Sequence, residues 1–449
     1  MYPIPFASQS YQNRSLPVSA QRCFNLYPEI IDQQIVLHGT PGLKVFADSL
    51  TSEAVRGLKV MGSLLYAVIG GGLYSVAPTG VVTKIGNITG TTLVSMSTTG
   101  TELSISTGAG GYIYDGTTLS SISDVDYPVS STSAFINQRI IYESTFGFTY
   151  SELDDAGTMS GTVNGTGDPD NAVAVLVDHL EVWLFGAKST EVWYNSGDSV
   201  TPFERLAGAF LEVGCGAKHS PAKLDNSVYW LGNDWAVYRA NGYSPERIST
   251  SAIEYAIKGY TNKTGAIAFA YTEEGHSFYQ LTFPSAKKTW VYDSASNRWH
   301  ERGSITAGRH RANCYVYAFG RHLVGDYDNG IIYEMSLDTY LDGDETIQRI
   351  AISPPLNQNG ETVFLSKIWI DVESGGGLTT GQGSDPQAML NHSDDGGRTW
   401  SNERWRTMGK VGEYFKRSIW RRCGSFKSRI YRLVISDPIK VAIIGAYGE

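Results

Sequence analysis

Short apolar strands alternate with turn residues along most of the chain, and one pair of positions recurs at a regular interval. In each instance an aromatic residue follows an apolar one, and a Gly, Asn or Asp turn usually comes next. Successive instances lie 36 to 54 residues apart. The seven are Leu73-Tyr74, Ile113-Tyr114, Thr149-Tyr150, Val192-Trp193, Val237-Tyr238, Val291-Tyr292 and Ile332-Tyr333, of which Thr149 is the one non-apolar first member.

A strand hairpin that recurs about every 40 to 45 residues is typical of the blades of a β-propeller. A single four-stranded blade leaves both of its faces uncovered, so blades pack face to face around an axis and bury each other. The pattern predicts an all-β fold with a β-propeller of six or seven blades over residues 51–345. In the longest interval, Ile253 and Ile257 lie at helical spacing after Ser249 and Thr250, which predicts a short capped helix.

The segments on either side of the repeats have a different pattern. Residues 1–50 contain RCFNLYPEIID and VLHGTPGLKVF, which predict an extended N-terminal segment that feeds into the ring. The period stops after residue 345. Residues 346–449 contain a predicted strand pair, a glycine-rich loop and a run of basic strands. This pattern predicts a C-terminal β-sandwich-like module.

Composition agrees with an all-β chain, since 49 Gly and 27 Tyr accompany only 18% charged residues. The net charge of −9 is unevenly distributed. Residues 398–449 carry 12 Lys and Arg against 4 Asp and Glu, so this part is basic and the remainder acidic. Such asymmetry indicates a distinct binding surface in the C-terminal part, with an ordinary solvated basic face as the alternative.

The stretch SDDGGRTW, Ser393 to Trp400, matches the Asp-box pattern Ser-x-Asp-x-Gly-x-Thr-Trp at every specified position. In this hairpin motif Asp395 is expected to accept backbone hydrogen bonds, the glycines permit positive φ, and Trp400 packs beneath. None of these roles is catalytic, so the motif predicts a turn. The structural Asp-box residues are Ser393, Asp395, Gly397, Thr399 and Trp400.

Asp-boxes are familiar from sialidases, so a sialidase-like glycosidase is one alternative function. Such an enzyme needs an arginine cluster, a Tyr nucleophile with a Glu partner, and an acid/base Asp. The chain has one box, outside the repeats, and no Arg-Ile-Pro motif near its start. A glycan-binding propeller is a second alternative. We predict that the protein is not an enzyme, and no catalytic residue is named.

Other motifs point to no cofactor or metal. The eight histidines are scattered, and neither a G-x-S-x-G nor a Walker motif is present. The turns with Asp326, Asp328 and Asn329, and with Asp342 and Asp344, could seat Ca²⁺ but lack EF-hand spacing. The four widely separated cysteines predict free, mostly buried thiols in a reducing cytoplasm. With no signal peptide and no 18-residue apolar stretch, a soluble chain without membrane contact is predicted.

Two longer stretches resemble a known family. FGAKSTEVWYNSGDSVTPFERLAGAFLEVGC, from Phe185 to Cys215, and the C-terminal KRSIWRRCGSFKSRIYRLVISDPIKVAIIGAYGE, from Lys416, are similar to the packaged-DNA stabilisation proteins of short-tailed, lambdoid phages. These are the tail hub proteins of podovirus-type particles. NLYPE, PGLKVF and GGGLYSV near the N-terminus are also similar.

The resemblance implies a structural role in the virion tail, for a protein made in the host cytoplasm. Members of this family are β-propeller proteins that form a six-fold ring below the portal and its adaptor, the head-completion protein. They help to retain packaged DNA, and they anchor the tail needle or plug and the tailspikes or tail fibre.

A partner-binding role is predicted for the basic residues near the C-terminus. These residues, called the basic face below, are Arg404, Arg406, Lys416, Arg417, Arg421 and Arg422. We expect part of this set to contact an acidic neighbour, either another tail protein or another copy of the chain. Clustered Lys and Arg also suffice for DNA proximity, although the acidic chain as a whole disfavours sustained DNA binding. Alternate strand residues point to opposite faces, so the whole set cannot share one surface.

Overall fold

The computed structural model describes residues 2–32, 34–198 and 200–449, and nearly all regular structure within these ranges is β-strand. Six strands precede the first repeat. They are β1 Tyr2–Pro3, β2 Tyr11–Gln12, β3 Ala20–Phe24, β4 Leu26–Ile31, β5 Gln34–Gly39 and β6 Gly42–Asp48. Within this group β6 becomes a strand of the ring and β3 pairs with its sixth sheet, as described below.

Six four-stranded antiparallel sheets follow, with their strands paired in chain order. The first two comprise β7 Val55–Met61, β8 Leu64–Ile69, β9 Gly72–Val76, β10 Val82–Asn87, β11 Ser95–Thr98, β12 Leu103–Ser106, β13 Gly111–Tyr114 and β14 Leu119–Ser121. The third and fourth comprise β15 Ser133–Ile136, β16 Arg139–Ser144, β17 Gly147–Glu152, β18 Asp155–Asn164, β19 Ala172–Asp178, β20 Glu181–Gly186, β21 Thr190–Asn195 and β22 Phe203–Leu211. The fifth and sixth comprise β23 Ala222–Leu224, β24 Ser227–Leu231, β25 Val237–Asn241, β26 Ser244–Arg247, β27 Ile267–Glu273, β28 His276–Phe283, β29 Lys288–Asp293 and β30 Arg298–Arg302.

A seventh sheet is completed by a strand from the opposite end of the sequence. It contains β31 Ala312–Ala318, β32 Arg321–Asp326 and β33 Ile331–Ser336, and β6 pairs with β33 as the fourth strand. The inner strand β7 contacts both β11 of the second sheet and β31 of the seventh. The described sheets therefore form a closed ring of seven.

The recurring apolar–aromatic pair lies on the third strand of every sheet, and its spacing follows from the packing between sheets. In the fourth sheet, Val192 packs against the fifth sheet while Trp193 packs against the third. Six of the seven pairs follow this rule, because adjacent residues of a strand point to opposite faces. Thr149 is the exception, since Tyr150 and Phe148 both face the fourth sheet.

The predicted helix is confirmed as α1, Ser251–Lys258, between the fifth and sixth sheets. The hydroxyl of Thr250 accepts a hydrogen bond from the Ile253 N–H and caps the helix at its N-terminus. Ile253 and Ile257 are fully buried and pack with Tyr279 and Trp299 of the sixth sheet. The helix thus covers apolar surface at the seam between two sheets.

The rest of the chain forms a β-sandwich beside the ring. Two short strands, β34 Leu341–Asp342 and β35 Glu345–Thr346, first extend the seventh sheet beyond β6. The strands that follow are β36 Arg349–Ile352, β37 Leu356–Asn357, β38 Val363–Phe364, β39 Lys367–Val372, β40 Gln387–Ser393, β41 Arg404–Thr407, β42 Arg417–Arg421, β43 Ser425–Phe426, β44 Ser428–Ile435 and β45 Ala442–Gly448. One sheet has the order β4-β5-β45-β39-β42, with β1 on β45. The other has the order β3-β36-β44-β40-β41 and continues through β30 into the sixth sheet of the ring. Fully buried Trp420 lies in the core between them.

The N-terminal segment therefore serves both parts of the molecule. The sequence predicted that residues 1–50 feed the ring and that residues 346–449 form the second module. In the structure β6 enters the ring, whereas β1 to β5 belong to the sandwich. Strand β3 pairs with β30 on one side and with β36 on the other. Strand patterns in a sequence do not show which distant strand is the partner, so this sharing was not predicted.

Candidate functional site

The Asp-box forms the turn between β40 and β41, and Asp395 organises it. The Asp395 carboxylate accepts hydrogen bonds from the N–H groups of Arg398 and Thr399, each at 2.9 Å. It also accepts from the hydroxyls of Ser393 at 2.7 Å and Thr399 at 2.6 Å. These bonds stabilise the charged form and hold the pKa of Asp395 well below its usual range. Every oxygen of this carboxylate is thus engaged within the turn.

The same turn packs against the N-terminal segment. Gly396 has a φ of +78°, and a Cβ there would lie 2.8 Å from the backbone of Pro17. The guanidinium of Arg432 lies 4.4 Å from the centre of the Trp400 ring, which packs beside the core. Asp394 forms a bidentate ion pair with buried Arg429, whose Nε and Nη2 donate to the two carboxylate oxygens at 2.6 and 2.7 Å. The Asp-box turn therefore contacts both the N-terminal segment at Pro17 and strand β44, two parts of the sandwich that are distant in sequence.

Replacing Gly396 with alanine tests this packing. We expect a loss of about 2 kcal/mol in the free energy of unfolding, because the new methyl group meets Pro17 at a backbone angle that favours glycine. Gly412→Ala is the matched control, since Gly412 has a φ of +83° and no atom near the added Cβ. It should lose only about 1 kcal/mol. Urea unfolding compares the two, and equal losses would contradict the contact with Pro17.

Two residues of the basic face join the two sheets of the sandwich. Arg406 Nε donates to the Ile419 carbonyl oxygen at 2.9 Å, and the Arg404 guanidinium donates to the carbonyl oxygen of Arg421. In the opposite direction, Trp420 Nε1 donates to the Arg404 carbonyl oxygen at 2.6 Å. Strands β41 and β42 are the edges of different sheets, and these bonds hold the edges side by side. Arg404 and Arg406 therefore serve packing within the chain.

The other four residues of the basic face differ in how strongly they are paired. Arg417 forms an ion pair with Asp371 at 2.9 Å, and Lys416 lies 3.8 Å from Glu413. Arg421 and Arg422 are exposed and form no ion pair with a carboxylate of the described residues. Alternation along β42 places Arg417 and Arg421 on its outer side, with Ser418 and Trp420 inside. The outward cations available to a partner are therefore Arg421 and Arg422.

Sequence reasoning did not identify the loop between β41 and β42 as part of this surface. Its aromatic residues point into solvent, with Tyr414 68% exposed and Phe415 98% exposed. Phe415 also has a φ of +62°, which is unfavourable for a residue with a Cβ. Aromatic side chains and arginine are enriched at protein interfaces. The flanking Gly409 and Gly412 were the sequence features that could have indicated a projecting loop.

Two tyrosine–glutamate pairs match the nucleophile and partner that a sialidase-like enzyme requires. Tyr194 Oη donates to Glu204 at 2.7 Å, and Tyr243 Oη donates to Glu181 at 2.6 Å. The first pair joins β21 to β22, and the second joins β20 to the turn between β25 and β26. The hydrogen bond to Glu181 raises the pKa of Tyr243 to about 12, so the phenol stays protonated. This arrangement keeps both hydroxyls as hydrogen-bond donors.

Each of the acidic turns considered for Ca²⁺ has one buried carboxylate, Asp326 or Asp342, and one exposed carboxylate, Asp328 or Asp344. Asp326 is buried and pairs with Arg311 at 2.6 Å. Burial raises the pKa of Asp342 to about 6. Among the described residues, no group of three or more His, Cys, Asp or Glu side chains is arranged to hold a metal ion. Within the same ranges, no helix combines the length and apolar character needed to cross a membrane.

The cysteines are free thiols, as predicted, and three of the four are buried. Burial raises the pKa of Cys215 to about 11 and that of Cys314 to about 12. Both groups therefore remain protonated at neutral pH, which makes them poor nucleophiles.

An open cleft of about 550 Å³ lies between four sheets of the ring, and its lining comes from the turns after β19 and β23 and from strands β27, β31 and β32. Tyr315, Tyr317 and His322 form an aromatic wall, in which Tyr315 Oη lies 2.9 Å from His322 Nδ1. On the other side, the carboxylate of Asp225 accepts a hydrogen bond from the Ser277 hydroxyl at 2.6 Å. The wall can stack against a ring-shaped ligand, which is the surface that the glycan-binding alternative requires.

Comparison with known proteins adds family-level information to this geometry. Among solved structures, PorZ, a surface component of the type-IX secretion system of Porphyromonas gingivalis, is similar with 12% identity and a TM-score of 0.40. The match covers 85% of this chain but only 53% of PorZ. The designed Ika8 protein matches at 11% identity and TM-score 0.40, over 74% of this chain and 98% of its own. BamB from Moraxella catarrhalis matches at 11% and 0.41, over 69% and 94%.

No curated protein sequence matches the chain. Two family models do match. One is the β-propeller of bacteriophage P22 Gp10, over residues 6–340, and the other is the β-sandwich of bacteriophage P22 Gp10, over residues 348–447. Both agree with the ring and the sandwich described above. The chain therefore belongs to the bacteriophage P22 Gp10 family, a family of phage structural proteins, whose place is in the virion.

Proposed function

We propose that the protein is the tail hub of a short-tailed phage. In this role it docks below the portal and its adaptor, helps to retain packaged DNA, and anchors the tail needle and the tailspikes. Six copies form the hub ring. Membership of the P22 Gp10 family supports a virion role of this kind. The structural observation that carries the proposal is the rigid connection between the β-ring and the β-sandwich.

Three sets of contacts make this connection. Strand β3 joins β30 of the ring to β36 of the sandwich within one eleven-stranded sheet. The Asn25 side-chain amide donates to the carbonyl oxygens of Gly303 and Gln348, each at 2.8 Å. Arg22 binds Glu301 through two hydrogen bonds, at 2.9 and 2.8 Å. A force applied to one part is thus transmitted to the other through backbone and ionic bonds, as a protein that holds back packaged DNA requires.

Opposite charges on the two parts support contacts with charged neighbours. Residues 101–200, which form most of the second to fourth sheets, carry 14 Asp and Glu but only two Lys and Arg. Arg421 and Arg422, by contrast, project from the sandwich without ion pairs to described residues. Complementary charge steers association and fixes orientation. Arg421 and Arg422 therefore bind an acidic partner, which is either a neighbouring tail protein or another copy.

Particles assembled without this chain test the proposed role. The expected particles have lost their DNA or leak it, and they lack the needle and the spikes. The measurements are DNA content per capsid and electron microscopy of the tail. Filled particles with an otherwise complete tail would overturn the proposal and make glycan binding at the aromatic cleft the leading question.

Charge reversal of the two free arginines tests the partner contact. We expect Arg421→Glu with Arg422→Glu to reduce complete tails in an assembly extract at least tenfold, because like charges then face each other. Lys84→Glu with Lys188→Glu is the matched control, since it changes the net charge equally on exposed positions of the ring. Sedimentation and infectivity measure assembly. Equal yields from both variants would show that the two arginines do not bind the partner.

A further inference from the structure

The outer strands of the ring already serve as pairing edges for additional strands. Strand β30 is extended by β3, which runs parallel to it at Phe24 and Glu301. Strand β6 is extended in the same way by β34, at Leu43 and Asp342. The outer edges of two of the seven described sheets thus recruit a further strand from this chain. The other five outer strands end their sheets in the described structure.

Four of these five edges carry features that discourage pairing. Exposed charged residues, proline and short strands protect a sheet edge from another strand. Strand β14 is protected because it is only three residues long. The other three strands contain charged residues or proline, namely Lys84 in β10, Glu204 and Arg205 in β22, and Pro245, Glu246 and Arg247 in β26. The fifth edge, β18, has ten residues, and after Asp155 it contains neither charge nor proline. Side chains of Glu102, Asp124 and Asp155 accept hydrogen bonds from the backbone N–H groups of residues 156–159, so the open part of this edge is residues 161–164.

The backbone of β18 is suitably oriented to accept a strand. The Gly165 N–H donates to the Phe146 carbonyl oxygen at 2.8 Å, on the side of β17. Because N–H groups alternate in direction along a regularly paired strand, those of Thr162 and Asn164 point away from β17. Both residues are exposed, and none of the described residues bonds to their backbone N–H groups. The bulges in the β17–β18 pairing lie at Ser151 and leave residues 161–164 of β18 in regular register.

The surroundings of this edge are acidic. Glu152, Asp154 and Asp155 lie at its start, and Asp168 follows its end. Asp124 also borders the strand, because its carboxylate accepts a hydrogen bond from the Met159 N–H at 2.9 Å. Within residues 101–200 only Arg139 and Lys188 offset the 14 acidic side chains. A strand that pairs here is therefore favoured when it carries positive charge.

We propose that β18 binds an extended, positively charged segment of another polypeptide as a fifth strand of the third sheet. The outward N–H and C=O groups of Thr162 and Asn164 supply the affinity through a β-ladder, and the surrounding carboxylates select basic side chains. The inference is independent of the tail-hub function, because it concerns strand addition to the isolated chain. Its test therefore uses purified protein, and its outcome is separate from that of the particle experiments.

The probe is a capped, fluorescein-labelled ten-residue peptide that alternates lysine and threonine. We expect it to bind the wild-type chain, with affinity that falls as salt increases. The variant Thr162→Pro should bind at least tenfold more weakly, since proline removes an outward N–H donor. Thr162→Ala keeps the backbone donor and should bind within twofold of wild type. Near-ultraviolet circular dichroism and the urea midpoint check that both variants are folded.

Hydrogen–deuterium exchange locates the bound peptide. Bound peptide should slow exchange in residues 157–166, and the corresponding glutamate–threonine peptide should have no effect. Equal binding by Thr162→Pro, equal binding of the acidic peptide, or protection confined to another strand would each overturn the proposal. Protection of this segment in the chain alone, rising with protein concentration, would identify a second copy as the occupant and would also overturn it.

Discussion

Leu43→Asp is expected to prevent stable closure of the ring. Leu43 lies on β6, is fully buried, and packs between the sixth and seventh sheets with Phe269 and Val291. An aspartate there buries an unpaired carboxylate and leaves a cavity, which together cost more than about 4 kcal/mol. The measurement is the thermal unfolding midpoint of the purified chain. A decrease of about 10 °C or more, or failure to obtain soluble protein, is the expected result.

Val45→Asp provides the matched control for ring closure. Val45 lies on the same strand and receives the same substitution, but its side chain is 50% exposed. Its carboxylate stays hydrated, so the free energy of unfolding should change by less than about 1 kcal/mol. If the two variants lost equal stability, the effect would come from aspartate in a strand, and burial of Leu43 would not be the cause.

Trp420→Ala is expected to remove much of the stability of the sandwich. The indole is fully buried between the two sheets, and its Nε1–H donates to the Arg404 carbonyl oxygen at 2.6 Å. Truncating a buried tryptophan costs about 3–5 kcal/mol. Trp420→Phe keeps most of the volume and loses the hydrogen bond, so its cost should be about 1–2 kcal/mol. Urea unfolding followed by circular dichroism measures both.

Trp405→Ala tests whether the expected loss of stability depends on the burial of the indole that is removed. Trp405 lies on β41, the strand to which Trp420 bonds, but its side chain is 54% exposed. We expect a change below about 1 kcal/mol for this variant. A loss as large as that of Trp420→Ala would mean that the seam between β41 and β42 depends on both indoles.

The repeat could be predicted from sequence because its cause is local. Each apolar–aromatic pair occupies the third strand of a sheet and contacts a sheet on either side, so its spacing reports the sheet repeat directly. Helix α1 was predictable for the same reason, since the Thr250 cap and the two isoleucines lie within eight residues. Thr149 broke the pattern because its sheet uses Phe148 and Tyr150 for one face.

The pairing of distant strands was not predictable. β6 pairs with β33 by backbone hydrogen bonds, and its alternating buried and exposed side chains fit that position in the sheet. Any other strand with the same alternation would fit equally well, so the sequence does not identify the partner. The basic face illustrates the same limit at the level of side chains. Arg406 and Arg421 are both arginines on strands, yet one bonds to a backbone carbonyl across a seam and the other faces solvent. Only the position of the neighbouring sheet distinguishes them.

Because the ring contains β6 and the sandwich contains β1 to β5, neither part can be completed until late in synthesis. Strand β6 leaves the ribosome early, but β33 follows roughly 290 residues later, a wait of about 15–60 s at ~5–20 residues per second. Strand β5 waits longer still for β45. Throughout this interval the nascent chain carries apolar strands without partners, which makes it prone to aggregation. Folding is therefore completed in a late step, in which the earliest-made strands pair with strands made near the end of synthesis.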